Sequence, residues 1–296
     1  MQDFEALKDK WNEADWRERA SLAIEIGKAG TAEAEKFLRD ALDCQDETYF
    51  VRGFAALALS GARMAQSIDL LAAKLNRFVI FQCDSSEFVR AKCAHALREN
   101  ANFIRTLDKA TRDGALHALR SALEDESSFV VEEAIPALGV LKDRESVLEM
   151  YMASESLVML GGNMDADVLA TVMVQGKRIE LKKNVDYQPL ALAMADIGIT
   201  EPHAVVVYGI VLATCPVREK AEAALVKIGK LFGHNPAMDR DGKLSSAIRG
   251  CKARMAFDDS ARDCSESFVD SVIGRISRPT YVGERKMVPP PLPNKR

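Results

Sequence analysis

The hydrophobic positions of this chain recur in three similar blocks. Residues 46–57 read DETYFVRGFAAL, residues 84–97 read DSSEFVRAKCAHAL, and residues 125–138 read DESSFVVEEAIPAL. In each block an acidic turn precedes a Phe-Val pair, and Ala and Leu then follow at the spacing of one helix face. The phenylalanines stand at positions 50, 88 and 129, so the period is 38 and then 41 residues.

A shorter apolar segment precedes each block, at Leu38–Leu42, Leu71–Leu75 and Leu119–Leu123. Each unit therefore reads as a helix, an acidic turn and a second helix. One such hairpin cannot bury its apolar face alone, and repeats of this length indicate hairpins that stack on their neighbours. The sequence predicts an all-α fold, an α-α superhelix.

The pattern resembles the HEAT repeat, and within that family the short HEAT-like repeats also found in phycobilin lyases. The resemblance rests on the acidic turn, on Val-Arg at 51–52, 89–90 and 217–218, and on the Ala/Leu ladder that follows. It is good over about 15–150 and partial over 185–275. It implies an α-solenoid.

In that family, the turn aspartate and the following arginine often hold neighbouring repeats together. The resemblance suggests the pairs Asp46 with Arg52 and Asp84 with Arg90. The third block has Val131 in place of the arginine, so we expect a different third junction. Because Phe50, Phe88 and Phe129 hold equivalent positions, we expect them to share a packing role between repeats. The alternative is that these phenylalanines, with Tyr49, contact a protein partner.

The pattern breaks between residues 154 and 186. Two runs rich in β-branched residues, Val168–Val174 and Arg178–Leu181, flank Gln175-Gly176-Lys177 and favour a β-hairpin. The alternative is one more helix that Gly176 ends. The predicted parts of the chain are N-terminal repeats over 1–153, an irregular insert or spacer over 154–186, C-terminal helical repeats over 187–276, and a proline-rich tail over 277–296.

Composition narrows the function classes. Hydrophobic residues make up 48% of the 296 residues and charged residues 28%, with a net charge of −4, which is ordinary for a globular protein and unfavourable for a nucleic-acid binder. The longest apolar run, Ala204–Val217, is too short to span a bilayer. With no secretory signal, we expect a cytoplasmic protein without membrane contact.

No known catalytic or metal-binding pattern occurs in the sequence. The six cysteines form no CxxC pair, and no histidine stands at metal-ligand spacing, so we predict neither a metal nor a cofactor. The sequence contains no HExxH, GxGxxG, GxSxG or phosphate-binding loop. We therefore predict no catalytic residue and no enzyme activity.

The leading interpretation is a non-catalytic scaffold or adaptor that holds a protein partner on the concave face of the stack. Two alternatives stay open. The resemblance to lyase-type repeats implies an enzyme subunit or a chromophore chaperone, and other HEAT-like proteins bind nucleic acid.

Three groups of residues are candidates for partner contact. Arg52 and Arg90 follow the turns, and Lys177 and Arg178 belong to the densest basic cluster before the tail. The tail segment 289–295, PPPLPNK, resembles an SH3 ligand with a basic residue after its PxxP core. Solvated charged residues are the alternative for the basic positions, and a tail that is solvated or docks on its own chain is the alternative for the tail. The tail candidates are Pro290, Leu292, Pro293 and Lys295.

Overall fold

A computed structural model describes residues 4–78, 82–157, 168–182 and 185–199, and the single positions 201, 204, 207, 208, 210, 211 and 227. Within these residues the chain forms eleven α-helices, one 3-10 turn and one two-stranded sheet. The prediction of an all-α fold is confirmed there, with the small sheet as the exception.

The helices alternate with short connections along the chain. Their bounds are α1 Phe4–Glu13, α2 Trp16–Ala29, α3 Ala32–Asp43, α4 Tyr49–Ala58, α5 Ala65–Leu75, α6 Glu87–Glu99, α7 Ala101–Ile104, α8 Lys109–Ala122, α9 Ser128–Leu141, α10 Val147–Ser154 and α11 Gln188–Ile197.

The helices pack in two rows. Helices α2, α4, α6, α9 and α11 lie side by side in that order, and we call them the second-helix row. Helices α3, α5 and α8 form the first-helix row. The hairpins α3–α4, α5–α6 and α8–α9 join the two rows, so each predicted repeat contributes one helix to each.

Polar side chains in the turns accept hydrogen bonds at or just before the starts of α4, α6 and α9. The Thr48 hydroxyl accepts a hydrogen bond from the Val51 N–H at 3.3 Å. A carboxylate oxygen of Asp84 accepts from the Ser86 N–H, and one of Asp125 accepts from the Ser127 N–H, both at 2.9 Å. The first N–H groups of a helix have no partner inside it, and Thr48 supplies one for α4. Asp84 and Asp125 instead order the turn residues that immediately precede α6 and α9.

Small residues let the helices approach closely. A Cβ atom on Gly139 of α9 would lie 2.4 Å from the Ala193 Cα of α11, so only glycine fits there. Helix α6 packs against α4, α5 and α9, and its fully buried side chains include the small residues Cys93, Ala94 and Ala96. The Ala-rich ladder in the sequence is therefore part of the buried core.

Residues 168–182 form a β-hairpin. Strand β1 (Val168–Val174) pairs antiparallel with β2 (Lys177–Lys182). Gln175 and Gly176 have φ values of 46° and 82°, and two positive φ values are what a two-residue type I′ turn requires. The hairpin prediction is confirmed, and the alternative of another helix is wrong.

The hairpin packs one face against the helices. Val172, Val174 and Leu181 are buried in the core, and the Tyr187 hydroxyl accepts a hydrogen bond from the Lys182 N–H at 2.8 Å. Met173, on the opposite face of β1, is exposed. This alternation is the pattern of a strand with one buried face.

Candidate functional site

Arginines of the second-helix row bind aspartates of the next repeat. Arg52 Nε and Nη2 donate to the two carboxylate oxygens of Asp84 at 2.8 and 3.0 Å. Arg90 donates in the same way to Asp125 at 2.8 and 2.9 Å. The third guanidinium nitrogen, Arg52 Nη1, donates to the Glu47 carbonyl at 2.6 Å, in the turn that precedes α4. Each arginine therefore ties two successive turns together.

These contacts correct the predicted pairing. Asp46 is exposed and does not bind Arg52, and Asp84 binds Arg52 rather than Arg90 through its carboxylate. The reason is geometric: α4 and α6 lie side by side, so the arginine one turn into α4 reaches the turn that starts α6.

The arginine–aspartate pairs are shielded from solvent. The side chain of Arg52 is 9% exposed and that of Asp84 is 1% exposed. Burial alone would raise the pKa of Asp125, but the hydrogen bonds from Arg90 and the Ser127 N–H hold it below its ordinary value. Arg52 and Arg90 thus hold the repeats together, and their donors do not face a partner as the sequence suggested.

The third junction differs, as Val131 led us to expect. Val131 is buried and has no charge to pair with an aspartate. A two-point arginine–aspartate pair is formed here from the first-helix row instead. There Arg120 of α8 donates to both carboxylate oxygens of Asp143 at 2.7 and 2.5 Å. The hydrogen bonds with Asp143 raise the pKa of Arg120 above its ordinary value, despite the opposing effect of burial.

Aromatic rings line the first turns of α2, α4 and α6. Phe50 lies between Trp16 and Phe88, with ring centroids 5.4 Å away on each side. Tyr49 lies 4.4 Å from Phe50, and Phe54 lies 6.1 Å from Phe88. We call these five residues the aromatic row. It crosses three successive helices.

The aromatic row is partly open to solvent. Trp16 is 38% exposed and Tyr49 is 47% exposed, whereas the three phenylalanines are half-buried. The guanidinium of Arg17 lies 4.4 Å from the Trp16 ring centroid, and the Lys92 ammonium lies 5.5 Å from that of Phe88. Large apolar side chains under cations form a surface with both apolar and charged character.

A glycine makes room for the row. A Cβ on Gly53 would lie 2.3 Å from the Phe88 ring, so the ring rests directly on the α4 backbone. Sequence reasoning missed Trp16, Phe54 and Gly53 as parts of a shared surface. An aromatic residue at the start of α2 was the available signal, because Trp16 opens its helix much as Tyr49 opens α4.

The three equivalent phenylalanines do not share one environment. Phe50 and Phe88 contact each other between repeats, as predicted. The prediction for Phe129 is wrong: its side chain is 64% exposed. Phe50, Phe88 and Phe129 are the second residues of their helices, and the second residue of α11 is Pro189, which is buried, so no aromatic ring follows Phe129 in the way that Phe88 follows Phe50.

A charged cluster lies further along α6 and α9. Glu133 Oε2 lies 3.2 Å from His95 Nδ1 and accepts from Arg98 Nη1 at 3.0 Å. Burial alone would raise the pKa of Glu133, but the hydrogen bond with His95 and the charge of Arg98 hold it below its ordinary value. The cluster links the two helices as an ionised acid with two basic neighbours.

The other sequence candidates lie apart from the aromatic row or outside the described residues. Lys177 and Arg178 are exposed beside the hairpin turn, with Arg178 Nη2 3.4 Å from Glu180 Oε1. The tail candidates Pro290, Leu292, Pro293 and Lys295 lie outside the residues that the structure describes.

The described part of the chain contains no group of three or more His, Cys, Asp or Glu side chains that could hold a metal ion. None of the helices in that part has the length and apolar character needed to cross a membrane.

Comparison with known proteins gives little. No family model matches this chain, and no curated protein matches it. Two crystal structures of engineered proteins from the Northeast Structural Genomics Consortium cover 86% of this chain, one at 18% identity, a TM-score of 0.39 and 98% of its own length. The other is 20% identical, with a TM-score of 0.41 and 100% of its own length covered. At TM-scores below 0.5, neither similarity supports a statement about function.

Proposed function

We propose that this chain is a HEAT-like α-solenoid that acts as a non-catalytic scaffold and holds a protein partner on the exposed side of its second-helix row. Three features support the solenoid: the repeat of 38 and 41 residues, the two rows of helices, and the buried Arg52–Asp84 and Arg90–Asp125 pairs between successive units. In a HEAT-like stack the second helices line the concave face.

The aromatic row is the observation that carries the partner-binding proposal. Trp, Tyr and Phe are enriched in protein interfaces, and Trp and Tyr are among the residues whose loss weakens binding most. Trp16 and Tyr49 are exposed here, although removing their apolar rings from water would lower the free energy. A partner that covered them would bury this apolar surface.

The row is also held in place. Phe50 is in ring contact with Trp16, Tyr49 and Phe88, and Gly53 gives Phe88 its seat on α4. A surface that is ordered before binding loses less conformational entropy when the partner arrives. This favours a binding surface over a set of unrelated exposed side chains.

The dimensions of the row favour an extended partner segment. The ring centroids of Trp16, Phe50 and Phe88 lie 5.4 Å apart in succession, so the outer two rings are at most about 11 Å apart. This length suits a strand-like or polyproline-like segment of about three to four residues, since such chains rise about 3.1–3.4 Å per residue.

The test compares alanine variants for their affinity to the partner that co-purifies with the wild-type chain from its native lysate. Tyr49→Ala removes an exposed ring of the row and is expected to weaken binding by about tenfold or more, equivalent to at least about 1.4 kcal/mol. Phe78→Ala is the matched control, because Phe78 is an exposed aromatic residue that contacts His117 and lies outside the row. Equal affinities for wild type and Tyr49→Ala would contradict the proposal.

A further inference from the structure

We infer that the aromatic row is a groove for a polyproline II segment and that its occupant is the tail of this same chain, residues 287–296, MVPPPLPNKR. This inference rests on the proposed function of the row. It adds the chemistry of the ligand and an occupant that competes with any external partner.

The tail sequence favours the conformation that such a groove binds. Three consecutive prolines fix φ near −65° and favour the left-handed polyproline II helix, which has three residues per turn and rises about 3.1 Å per residue. Pro290 and Pro293 are three residues apart, so in this helix they lie on the same side, about 9 Å from each other.

The row offers a matching spacing. Trp16, Phe50 and Phe88 follow one another with ring centroids 5.4 Å apart, on three successive helices. The outer two rings are therefore at most about 11 Å apart, close to the rise of about 9 Å of one polyproline II turn. Aromatic-lined grooves bind proline-rich segments because the ligand is already ordered and loses little conformational entropy.

Acidic and basic side chains both border the row. Glu18, Asp46 and Glu87 are exposed at or just before the helix starts that carry the rings, and the cations Arg17 and Lys92 lie over the Trp16 and Phe88 rings. The three acidic side chains are the groups that a basic end of the tail would contact. The tail ends in Lys295 and Arg296. Opposite charges at the rim set the direction and increase the rate of association more than they increase affinity.

The tail is long enough to reach the row. Helix α11 lies two places beyond α6 in the second-helix row, about 20 Å away by the usual helix spacing. Residues 212–296 follow Val211, a buried residue in the described part of the chain. As a polyproline II helix, the 277–296 segment alone spans about 60 Å.

The chain carries its own reporter. Trp11 is buried and Trp16 is exposed in the row, and these are the two tryptophans of the sequence. Quenching of the accessible tryptophan fluorescence by acrylamide therefore reports on Trp16. In the full-length chain, Pro290→Ser combined with Pro293→Ser is expected to increase this quenching about twofold. Asn294→Ala is the matched tail control and is expected to leave it unchanged.

A synthetic peptide of residues 285–296 tests the site directly. Added to the Pro290→Ser/Pro293→Ser chain, it is expected to restore protection of Trp16. Its affinity is expected to fall about tenfold when Tyr49→Ala is added and to stay unchanged with Phe78→Ala. Circular dichroism at 222 nm checks that each variant keeps its helices.

Several results would overturn the inference. These are unchanged Trp16 quenching in the tail variant, peptide binding that Tyr49→Ala does not weaken, and protection of Trp16 that disappears on dilution, which would place the contact between two copies. If the tail substitutions leave Trp16 quenching unchanged while Tyr49→Ala still weakens binding of the external partner, the inference fails and the proposed function stands.

Discussion

The Arg52–Asp84 pair permits the sharpest test of how the repeats are joined. Arg52→Leu removes the guanidinium and leaves the carboxylate of Asp84, which is 1% exposed, without its two strongest donors. Breaking a buried ion pair from one side costs about 3–5 kcal/mol, because an uncompensated charge stays buried. We expect a loss of this size in the free energy of unfolding.

The double variant separates the lost charge pair from lost packing. Asp84→Asn keeps an oxygen that can accept from the Ser86 N–H but removes the negative charge. In Arg52→Leu/Asp84→Asn no buried charge is left at this site, so the net loss should shrink to about 1–2 kcal/mol. Because Asp84→Asn alone also leaves a buried charge without its partner, the coupling between the two substitutions is at least about 2 kcal/mol.

The assay is equilibrium unfolding in urea, followed by circular dichroism at 222 nm, for wild type, both single variants and the double variant. Arg178→Leu is the matched control, since Arg178 forms an ion pair with Glu180 at the exposed hairpin and should change stability by less than about 0.5 kcal/mol. A loss below about 1 kcal/mol for Arg52→Leu, or additive single-variant effects, would refute the reasoning.

Three further predictions concern single positions. The pKa of Asp125 lies below its ordinary value of 3.8 in the folded chain, so its ionised form stabilises the fold above that pH. This contribution is lost as the pH falls from the ordinary value through the lowered one. Asp125→Asn is therefore expected to flatten the dependence of stability on pH below about pH 4, measured by urea unfolding at a series of acidic pH values. Gly139→Ala forces a Cβ against the α11 backbone and should cost about 1–3 kcal/mol, whereas Gly114→Ala, with open space around it in α8, should stabilise by about 0.5–1 kcal/mol in urea unfolding. Gln175→Asn should raise the melting temperature slightly, because asparagine tolerates the positive φ at the hairpin turn better than glutamine does.

The helices and the hairpin could be predicted because each rests on a local pattern. The Phe-Val pair and the Ala/Leu ladder have the period of a helix face, and the order helix, turn, helix follows from them. The hairpin follows from β-branched runs on either side of Gln175-Gly176. These signals need no knowledge of what lies across the packed interface.

The partners of Arg52 and Arg90 could not be read from local sequence. Each arginine lies close in sequence to one aspartate and 32 or 35 residues from the one that it binds. Only the side-by-side packing of α4 with α6 and of α6 with α9 selects the distant aspartate. The exposure of Phe129 could not be predicted for the same reason. It depends on which side chains the next helix presents, and the repeat pattern alone does not contain that information.

The most direct test of the central claim uses photo-cross-linking. A photoreactive phenylalanine analogue replaces Tyr49, in the aromatic row, or Asp69, an exposed residue of α5 in the first-helix row. After irradiation in native lysate, each cross-linked product is identified by mass spectrometry. The account predicts one specific protein, or the chain's own tail, captured from position 49 and not from position 69. Equal capture from both positions, or capture from position 69 alone, would contradict it.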